Sequence, residues 1–258
     1  MSYYNKLFMS IETDSDKLDN RIHENKKFQT FDITSWIINT ITIKNEEKLL
    51  DIGCGTGEQL IPYAELNPKS SMFGFDYSDI SIQKLSKKLK EKKISNISLM
   101  CGDMDSLLDL VKERDFDIVT SCFALYYSKD IPKIIHSIKK LLNKNGRIFI
   151  CGPKDGNNQE LINFQSSISP DSIPKISYHM TESILPQIKK NFFNVKEFEF
   201  LNPIVFDNPI SLLNYWKSYY LYDENIENKF KKHLSEYFIK NSKFITTKKT
   251  IGILGSIQ

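Results

Sequence analysis

Short apolar runs alternate with segments of helical periodicity along much of the chain. Five runs rich in Leu, Ile, Val and Phe are bounded by Gly, Asn, Asp or Pro, a pattern typical of buried strands. They are residues 48–52, 71–76, 97–101, 116–122 and 147–151. Because strands that alternate with helices form a mostly parallel sheet covered on both faces, the pattern predicts a doubly wound α/β fold.

Helices are predicted around these strands, where apolar positions recur with a period near 3.6 residues. The predicted helices cover residues 28–41, 58–66, 79–92 and 131–143. Ser78 is the expected N-cap of the third helix, because its hydroxyl can accept from an N–H of the first turn. Gly146 is expected to follow the end of the fourth helix, since glycine readily adopts the left-handed conformation found there.

After the fifth strand, short apolar runs no longer alternate regularly with helical segments. A stretch with Pro and Asn precedes another predicted helix, and an aromatic helical segment separates two last strand candidates. These elements are residues 153–174, 181–192 and 208–240, with the strand candidates at 195–206 and 248–257. No internal repeat or low-complexity linker separates them, so we expect a single domain.

The amino-acid composition indicates a globular protein without a membrane-spanning segment. With 40% hydrophobic and 26% charged residues, the chain is typical of globular proteins. It has no apolar run of the roughly 20 residues that a membrane span needs. Its N-terminus leads into polar sequence without the apolar region of a secretion signal. We therefore expect a cytoplasmic protein without a membrane partner.

Charge and cysteine usage disfavour two further classes. The net charge is +3, and only three of the 35 basic residues are arginine. Nucleic-acid binders use Arg for bidentate contacts, so a nucleic-acid partner is disfavoured. The cysteines have no C-x-x-C spacing and no His at ligand spacing, which indicates reduced thiols and no metal site. They are Cys54, Cys101, Cys122 and Cys151.

The strongest candidate for chemistry is residues 49–57, Leu-Leu-Asp-Ile-Gly-Cys-Gly-Thr-Gly. A hydrophobic strand that enters G-x-G-x-G and then a helix makes a tight turn, whose glycines let a ligand approach the backbone. Asp76 ends the second strand, where a carboxylate that accepts from ribose hydroxyls is expected. Asp103 follows the third strand and is suited to accept from an adenine amino group. A helix cap is the alternative role for both acids.

These motifs resemble those of class I S-adenosylmethionine-dependent methyltransferases, particularly the small-molecule branch. The matching residues are Asp51-Ile-Gly-Cys-Gly-Thr-Gly57, Gly74-Phe-Asp76, Gly102-Asp-Met104 and Phe116-Asp-Ile-Val-Thr-Ser-Cys-Phe-Ala-Leu-Tyr-Tyr127. Residues 141–150 resemble the family's approach to its fifth strand, with Asn143 and Asn145 replacing the usual Pro and first Gly. The resemblance covers about residues 28–152 and the closing strand. It implies a Rossmann-like sheet of seven strands, with the last strand antiparallel.

The resemblance also implies which residues bind S-adenosylmethionine. The methionyl part and the ribose lie on the glycine turn, Gly53, Cys54, Gly55, Thr56 and Gly57. Asp51 is the acid near the amino group of the cofactor, and Asp76 holds the ribose hydroxyls. Lys26 or Lys27 is a candidate partner for the cofactor's carboxylate, with a solvated lysine as the alternative.

The rest of the implied cofactor site comes from three strand ends. Tyr77 lies beside the adenine, which Asp103 and Met104 bind, while Cys122 and Phe123 line the methyl end. A nicotinamide-dependent oxidoreductase is the alternative for the same turn. The dinucleotide fingerprint has a third glycine that makes room for pyrophosphate, and Leu60 stands at that position, so methyl transfer is favoured.

Fewer residues of the sequence indicate where the methyl acceptor binds. Tyr126 and Tyr127 occupy the position that faces the acceptor in this family, where either orients an amine or hydroxyl or forms an apolar wall. His179 is the histidine that we consider as a catalytic base. A dedicated base is optional, because the sulfonium is a strong electrophile and the enzyme mainly aligns the nucleophile.

Aromatic residues cluster late in the chain. Tyr215, Trp216 and Tyr219 are expected either to pack a helix on the sheet edge or to form a lid over the substrate. Tyr3 and Tyr4 are expected to close the other side of the substrate pocket.

We therefore expect one methyltransferase domain over residues 1–258, with a cofactor-binding core at 28–152 and a cap from 1–27, 153–192 and 208–240. The predicted activity transfers methyl from S-adenosylmethionine to N or O of a small metabolite or natural-product intermediate. The alternatives are an RNA or protein methyltransferase and a non-catalytic S-adenosylmethionine-binding module. We expect a monomer or homodimer.

Overall fold

A computed structural model describes residues 27–174 and 178–258. The chain divides into two compact units. The sheet unit consists of Ile33–Asp155, Tyr178–Phe200 and Thr250–Gln258. The described part of the other, which we call the aromatic unit, consists of residues 27–32, 156–174 and 201–249. The segments expected to form one cap are thus divided between the units, since 178–192 belongs to the sheet unit.

Seven strands form a mixed sheet in the order β3-β2-β1-β4-β5-β7-β6. Strands β1 to β5 run parallel to one another, and β7 runs antiparallel to β5. This confirms the Rossmann-like sheet with its antiparallel last strand. The strands are β1 Lys48–Ile52, β2 Ser71–Asp76, β3 Ile97–Cys101, β4 Phe116–Cys122, β5 Leu142–Pro153, β6 Phe193–Phe206 and β7 Phe244–Ser256.

The helices connect these strands or follow them. They are α1 Ile33–Thr40, α2 Leu60–Leu66, α3 Asp79–Lys92, α4 Leu107–Leu110, α5 Ile131–Leu141, α6 Gln159–Ile168, α7 Leu185–Asn191, α8 Pro209–Lys217 and α9 Glu227–Lys240. Short 3₁₀ turns lie at Met104–Ser106, Leu125–Tyr127, Pro170–Ser172 and Glu224–Ile226, and a π-helical turn lies at Met180–Ile184. The predicted cap of α3 is confirmed, since Ser78 accepts from the N–H of Ser81. Within the part of the chain described, every helix is too short or too polar to cross a bilayer.

Two predicted helix ends are wrong. The helix predicted over residues 28–41 begins at Ile33, and Phe28 instead packs on Phe206 in the aromatic unit, with 5.1 Å between the ring centroids. Helix α5 ends at Leu141, so Gly146 is not its C-terminal glycine and lies within β5. A Cβ at Gly146 would lie 2.8 Å from the Cβ of Leu142, so close packing explains this glycine.

Alternation along the strands divides the core of the sheet unit between the two faces of the sheet. Leu50 and Ile52 join the cluster that includes α5 and α7. Leu49 joins the cluster on the opposite face, which includes residues of α1, α2 and α3. Asp51 is two residues after Leu49 on β1, so its side chain points to the same face of the sheet, which is the face that α2 covers.

The aromatic unit has its own core of buried rings. Trp216 stacks on Phe230 with 3.9 Å between the ring centroids, and Phe206 packs against Tyr215. The predicted segment 208–240 forms two helices, α8 and α9, which both contribute to this core.

Candidate functional site

The glycine turn follows β1 and adopts a backbone that favours glycine at three positions. Gly53, Gly55 and Gly57 have φ values of 75°, 51° and 86°, all in the left-handed region. The N–H groups of Gly53 and Cys54 donate to the carbonyl of Phe75 over 2.7 and 3.1 Å. The end of β2 therefore fixes the start of the turn.

The three glycines differ in what surrounds them. A Cβ at Gly53 would lie 2.1 Å from the Cβ of Ala124, and a Cβ at Gly57 would lie 2.4 Å from Leu85 Cδ1. A Cβ at Gly55 would meet no atom within 4 Å. Gly53 and Gly57 are thus needed for packing, whereas Gly55 faces open space into which a ligand can fit against the backbone.

Asp76 connects the end of β2 to this turn. Its Oδ2 accepts from the N–H of Gly55 over 2.7 Å, and its Oδ1 accepts from the N–H of Ser78 over 2.8 Å. Burial raises the pKa of this carboxyl group, and the two N–H donors oppose that effect. Each oxygen has a further lone pair that can accept from a hydroxyl. Tyr77, the next residue, is 68% exposed.

Asp51 is a buried acid beside the turn. Asp51 is 2% exposed, and its Oδ1 accepts from Thr120 Oγ1 over 2.8 Å. Burial raises its pKa to about 7, against the effect of the Thr120 hydrogen bond. Cys54 and Thr56 are also buried, and burial raises the pKa of the Cys54 thiol. Thr56 Oγ1 has no hydrogen-bond partner among the described residues.

Asp103 takes the capping role that the sequence left open. Its Oδ1 accepts from the N–H of Asp105 over 2.9 Å, and its Oδ2 pairs with Lys129 Nζ at 3.2 Å. The Asp105 N–H lowers the pKa of Asp103, and Lys129 adds to this effect. Met104 is half-buried and packs against the apolar core. A contact of Asp103 or Met104 with adenine stays a prediction.

Asp105 links the loops after β3 and β4, a contact that was not expected from the sequence. Asp105 accepts from Ser128 Oγ over 2.5 Å and from the N–H of Lys129 over 3.1 Å. The carboxylate therefore holds the predicted adenine-side loop against the loop that contains the predicted acceptor-side tyrosines. The feature of the sequence that could have indicated this link is the second acid of Gly102-Asp-Met-Asp105.

The end of β4 turns sharply at the predicted methyl end. Cys122 is buried, and Phe123 has a φ of 58° and donates its N–H to the carbonyl of Cys151 over 2.8 Å. Tyr126 and Tyr127 follow in a 3₁₀ turn, with 4.6 Å between their ring centroids. Both are half-buried. The structure thus places the two tyrosines just beyond the predicted methyl end.

Tyr126 packs over the end of β5. Its Cε1 lies 3.0 Å from the position that a Cβ of Gly152 would occupy, and Met180 Sδ lies 2.8 Å from the same position. This packing favours an apolar wall for Tyr126. His179 is exposed and precedes Met180 at the start of the π-helical turn.

The late aromatic cluster is core rather than lid. Tyr215 and Trp216 are fully buried and Tyr219 is 7% exposed, so these rings have almost no surface with which to contact a substrate. Trp216 Nε1 donates to Gln165, and the Tyr215 and Tyr219 hydroxyls bond to Asn158 and Asn157. Of the two alternatives for these side chains, helix packing is therefore favoured over a lid, because their polar atoms and their rings are both used within the aromatic unit.

Three predicted positions lie outside the described residues. These are Tyr3, Tyr4 and Lys26. Lys27 is described, and its Nζ lies 4.9 Å from the ring centroid of Phe28 in the aromatic unit.

Known proteins resemble this chain in sequence and fold. A family model described as a methyltransferase domain matches residues 43–236. The uncharacterized methyltransferase YcgJ of Bacillus subtilis is 24% identical over 190 residues, which are 71% of this chain and 70% of that protein. The crystal structure of YcgJ has a TM-score of 0.61 at 19% identity and covers 86% of this chain and 97% of that chain.

Two further relatives act on named small molecules. Aklanonic acid methyltransferase DauC of a Streptomyces species is 32% identical over 108 residues, which are 42% of this chain and 48% of that protein. Geranyl diphosphate C-methyltransferase of Streptomyces coelicolor, solved with S-adenosylhomocysteine, has a TM-score of 0.52 at 14% identity and covers 87% of this chain and 75% of that chain. The chain spans about half or less of the length of several curated relatives that it matches.

The family model covers about three quarters of the chain, and the seven strands, the antiparallel last strand and the glycine turn agree with the resemblance noted in the sequence. The chain belongs to the methyltransferase domain family.

Proposed function

We propose that this protein transfers a methyl group from S-adenosylmethionine to nitrogen or oxygen of a small-molecule acceptor. The observation that carries the proposal is the open space at Gly55, flanked by the Asp76 carboxylate that contacts the same residue. When bound, S-adenosylmethionine supplies a sulfonium methyl group that a nucleophile can attack.

Two acids are assigned to the polar parts of the cofactor. Asp76 would accept from the ribose hydroxyls through the lone pairs that Gly55 and Ser78 do not use. Asp51 would face the amino group of the methionyl part, where its ionised form can pair with an ammonium. The orphaned hydroxyl of buried Thr56 supports a polar ligand close to the turn.

The other proposed cofactor residues surround the adenine and the methyl end. Tyr77 would lie beside the adenine, with Asp103 and Met104 near its edge. Cys122 and Phe123 would line the methyl end. The Asp105 bridge supports this arrangement, because it joins the loop of Asp103 to the loop that follows Phe123.

The acceptor is proposed to approach from the side of Tyr126 and Tyr127. A sulfonium needs an aligned nucleophile and a site without water more than it needs a base. Tyr126, packed over Gly152, suits the role of a wall, and we infer that Tyr127 or exposed His179 orients a polar acceptor. A small acceptor is supported by the relatives that act on aklanonic acid and geranyl diphosphate.

Two measurements test the proposal. Calorimetry should show that the purified protein binds S-adenosylhomocysteine at micromolar concentration, the usual range for such sites. NAD binding without S-adenosylhomocysteine binding would contradict the cofactor assignment. Incubation of the protein with labelled cofactor and a metabolite extract should yield a labelled product that carries one added methyl group. A labelled product found only in the RNA or protein fraction would contradict the small-molecule acceptor.

A further inference from the structure

The loop after β4 is anchored at both of its ends. At its start, the Phe123 N–H donates to a carbonyl of β5 over 2.8 Å. At its end, the Ser128 hydroxyl and the Lys129 N–H donate to the carboxylate of Asp105 over 2.5 and 3.1 Å. Between the two anchors lies the 3₁₀ turn Leu125–Tyr127, which we call the tyrosine turn. An acid from a different loop thus fixes the far end of the tyrosine turn.

That acid belongs to the loop that contains the proposed adenine contacts. Residues 102–106, which we call the adenine-side loop, include Asp103 and Met104 as well as Asp105. The Asp105 N–H donates to Asp103 Oδ1 over 2.9 Å, and the Ser106 N–H donates to the Asp103 carbonyl over 2.9 Å. These local bonds fix the backbone of Asp105 relative to Asp103. The Asp105 side chain is only 17% exposed, so its bonds to the next loop are partly shielded from water.

We propose that Asp105 is a positioning residue that couples the cofactor site to the acceptor side. A cofactor held by Asp103 and Met104 would stabilise the adenine-side loop, and the Asp105 carboxylate would transmit this stabilisation to the tyrosine turn. The acceptor side would then be most completely formed when the cofactor is bound, which favours binding of the cofactor before the acceptor. The inference rests on the proposed binding of S-adenosylmethionine.

Thermodynamic linkage gives the proposal a measurable consequence. Opening of the tyrosine turn breaks the bonds from Ser128 and Lys129 to Asp105, so the adenine-side loop loses a constraint. A ligand that favours the constrained adenine-side loop therefore makes opening of the tyrosine turn less frequent, because coupling between two sites is reciprocal. Amide hydrogen exchange measures such local openings residue by residue.

An ion pair is a second connection between the same loops. Lys129 Nζ lies 3.2 Å from Asp103 Oδ2 and 4.0 Å from Asp105 Oδ2, and the lysine side chain is 55% exposed. Exposed ion pairs contribute little, because water screens the charges and two long side chains must be ordered. Hydrogen bonds to a carboxylate are stronger. The coupling is therefore assigned to the bonds that Asp105 accepts, rather than to the ammonium group of Lys129.

The test measures amide exchange at Tyr127 and Ser128 by NMR, with and without saturating S-adenosylhomocysteine. These two N–H groups donate to the carbonyls of Ala124 and Leu125, so their exchange reports the tyrosine turn itself. In the wild type, the ligand should slow their exchange about tenfold, within the usual range of coupling between sites. In Asp105→Ala, the slowing by the ligand should fall below about threefold.

Matched variants separate this role from packing. The Phe123 amide, at the proposed methyl end, should be slowed by the ligand in every variant, because the cofactor reaches it directly. Ser128→Ala removes one donor to Asp105 and should lose less of the slowing than Asp105→Ala. Asp109→Asn changes an exposed acid of α4 and should match wild type. Lys129→Met removes the ammonium but keeps the N–H that bonds to Asp105, and should stay within about twofold of wild type.

The ratio of exchange rates with and without ligand decides between the explanations. A purely structural role of Asp105 predicts that Asp105→Ala exchanges faster in both conditions with an unchanged ratio, and that result would overturn the inference. No slowing of Tyr127 and Ser128 in the wild type, or a loss in Lys129→Met equal to that in Asp105→Ala, would also overturn it. Wild-type protein that fails to bind S-adenosylhomocysteine in calorimetry would overturn the proposed function instead.

Discussion

Buried polar side chains of the aromatic unit have hydrogen-bond partners, whereas two in the sheet unit have none among the described residues. In the aromatic unit, Asn158 bonds to the Tyr215 hydroxyl and to Thr246, and Gln165 accepts from Trp216 while donating to the Leu221 carbonyl. In the sheet unit, two buried hydroxyls beside the glycine turn and α2 have no hydrogen-bond partner among the described residues. They belong to Thr56 and Tyr63.

The presence or absence of hydrogen-bond partners indicates whether a buried polar group serves packing or faces a ligand. A buried polar group that is fully paired stabilises one packing arrangement, whereas an unpaired one lowers stability unless a ligand or a water pairs with it. The paired side chains of the aromatic unit thus indicate a core. The unpaired hydroxyl of Thr56 supports the proposal that a ligand lies against the glycine turn.

The largest expected effect is a loss of stability on disruption of the aromatic core. Trp216→Ala removes a fully buried ring that stacks on Phe230 and leaves Gln165 without its indole donor. We expect a loss of about 3–5 kcal/mol in the free energy of unfolding, measured by urea denaturation of the transition that involves this unit. The affinity for S-adenosylhomocysteine should stay within about twofold. A stable variant with poor acceptor turnover would restore the lid interpretation.

The next effect concerns affinity rather than stability. Asp76→Ala removes the acceptor proposed for two ribose hydroxyls and should weaken S-adenosylhomocysteine binding by about 2–4 kcal/mol in calorimetry. Asp76→Asn, which keeps the size and one acceptor oxygen, should lose less. Equal dissociation constants for wild type and Asp76→Ala would contradict the ribose assignment.

A smaller effect follows from the buried charge of Asp51. Its pKa rises from 3.8 in the unfolded chain to about 7 in the folded protein, so the folded state binds a proton more tightly. This contribution to stability is present in full below about pH 4 and is lost as the pH rises toward 7. Asp51→Asn should therefore show a smaller decline in stability between pH 5 and 7 than wild type, measured by urea denaturation. Parallel curves would indicate that the carboxyl group titrates normally.

Sequence reasoning succeeded where the signal is local. Strands β1 to β4, the Ser78 cap and the glycine turn follow from short patterns, because hydrophobic period and left-handed backbone are properties of neighbouring residues. It failed where the answer depends on distant packing. The helical spacing of Tyr215 and Trp216 predicts a shared face but cannot specify what covers that face.

The same limit applied to α2. Nothing in the sequence distinguishes Tyr63 from the apolar positions of its helix, and only the folded structure shows that its hydroxyl is buried without a partner among the described residues. Gly146 illustrates the reverse case, since a glycine near a helix end was a sound signal for a turn and the structure uses it for close packing.

The glycine turn offers the most direct test of the central claim. Gly55→Ala places a methyl group in space that no protein atom occupies, so the fold should tolerate it at a cost of roughly 1 kcal/mol for the left-handed backbone. Calorimetry with S-adenosylhomocysteine should show micromolar binding to wild type and at least tenfold weaker binding to folded Gly55→Ala. Wild-type affinity in the folded variant would contradict the claim that the cofactor lies against Gly55.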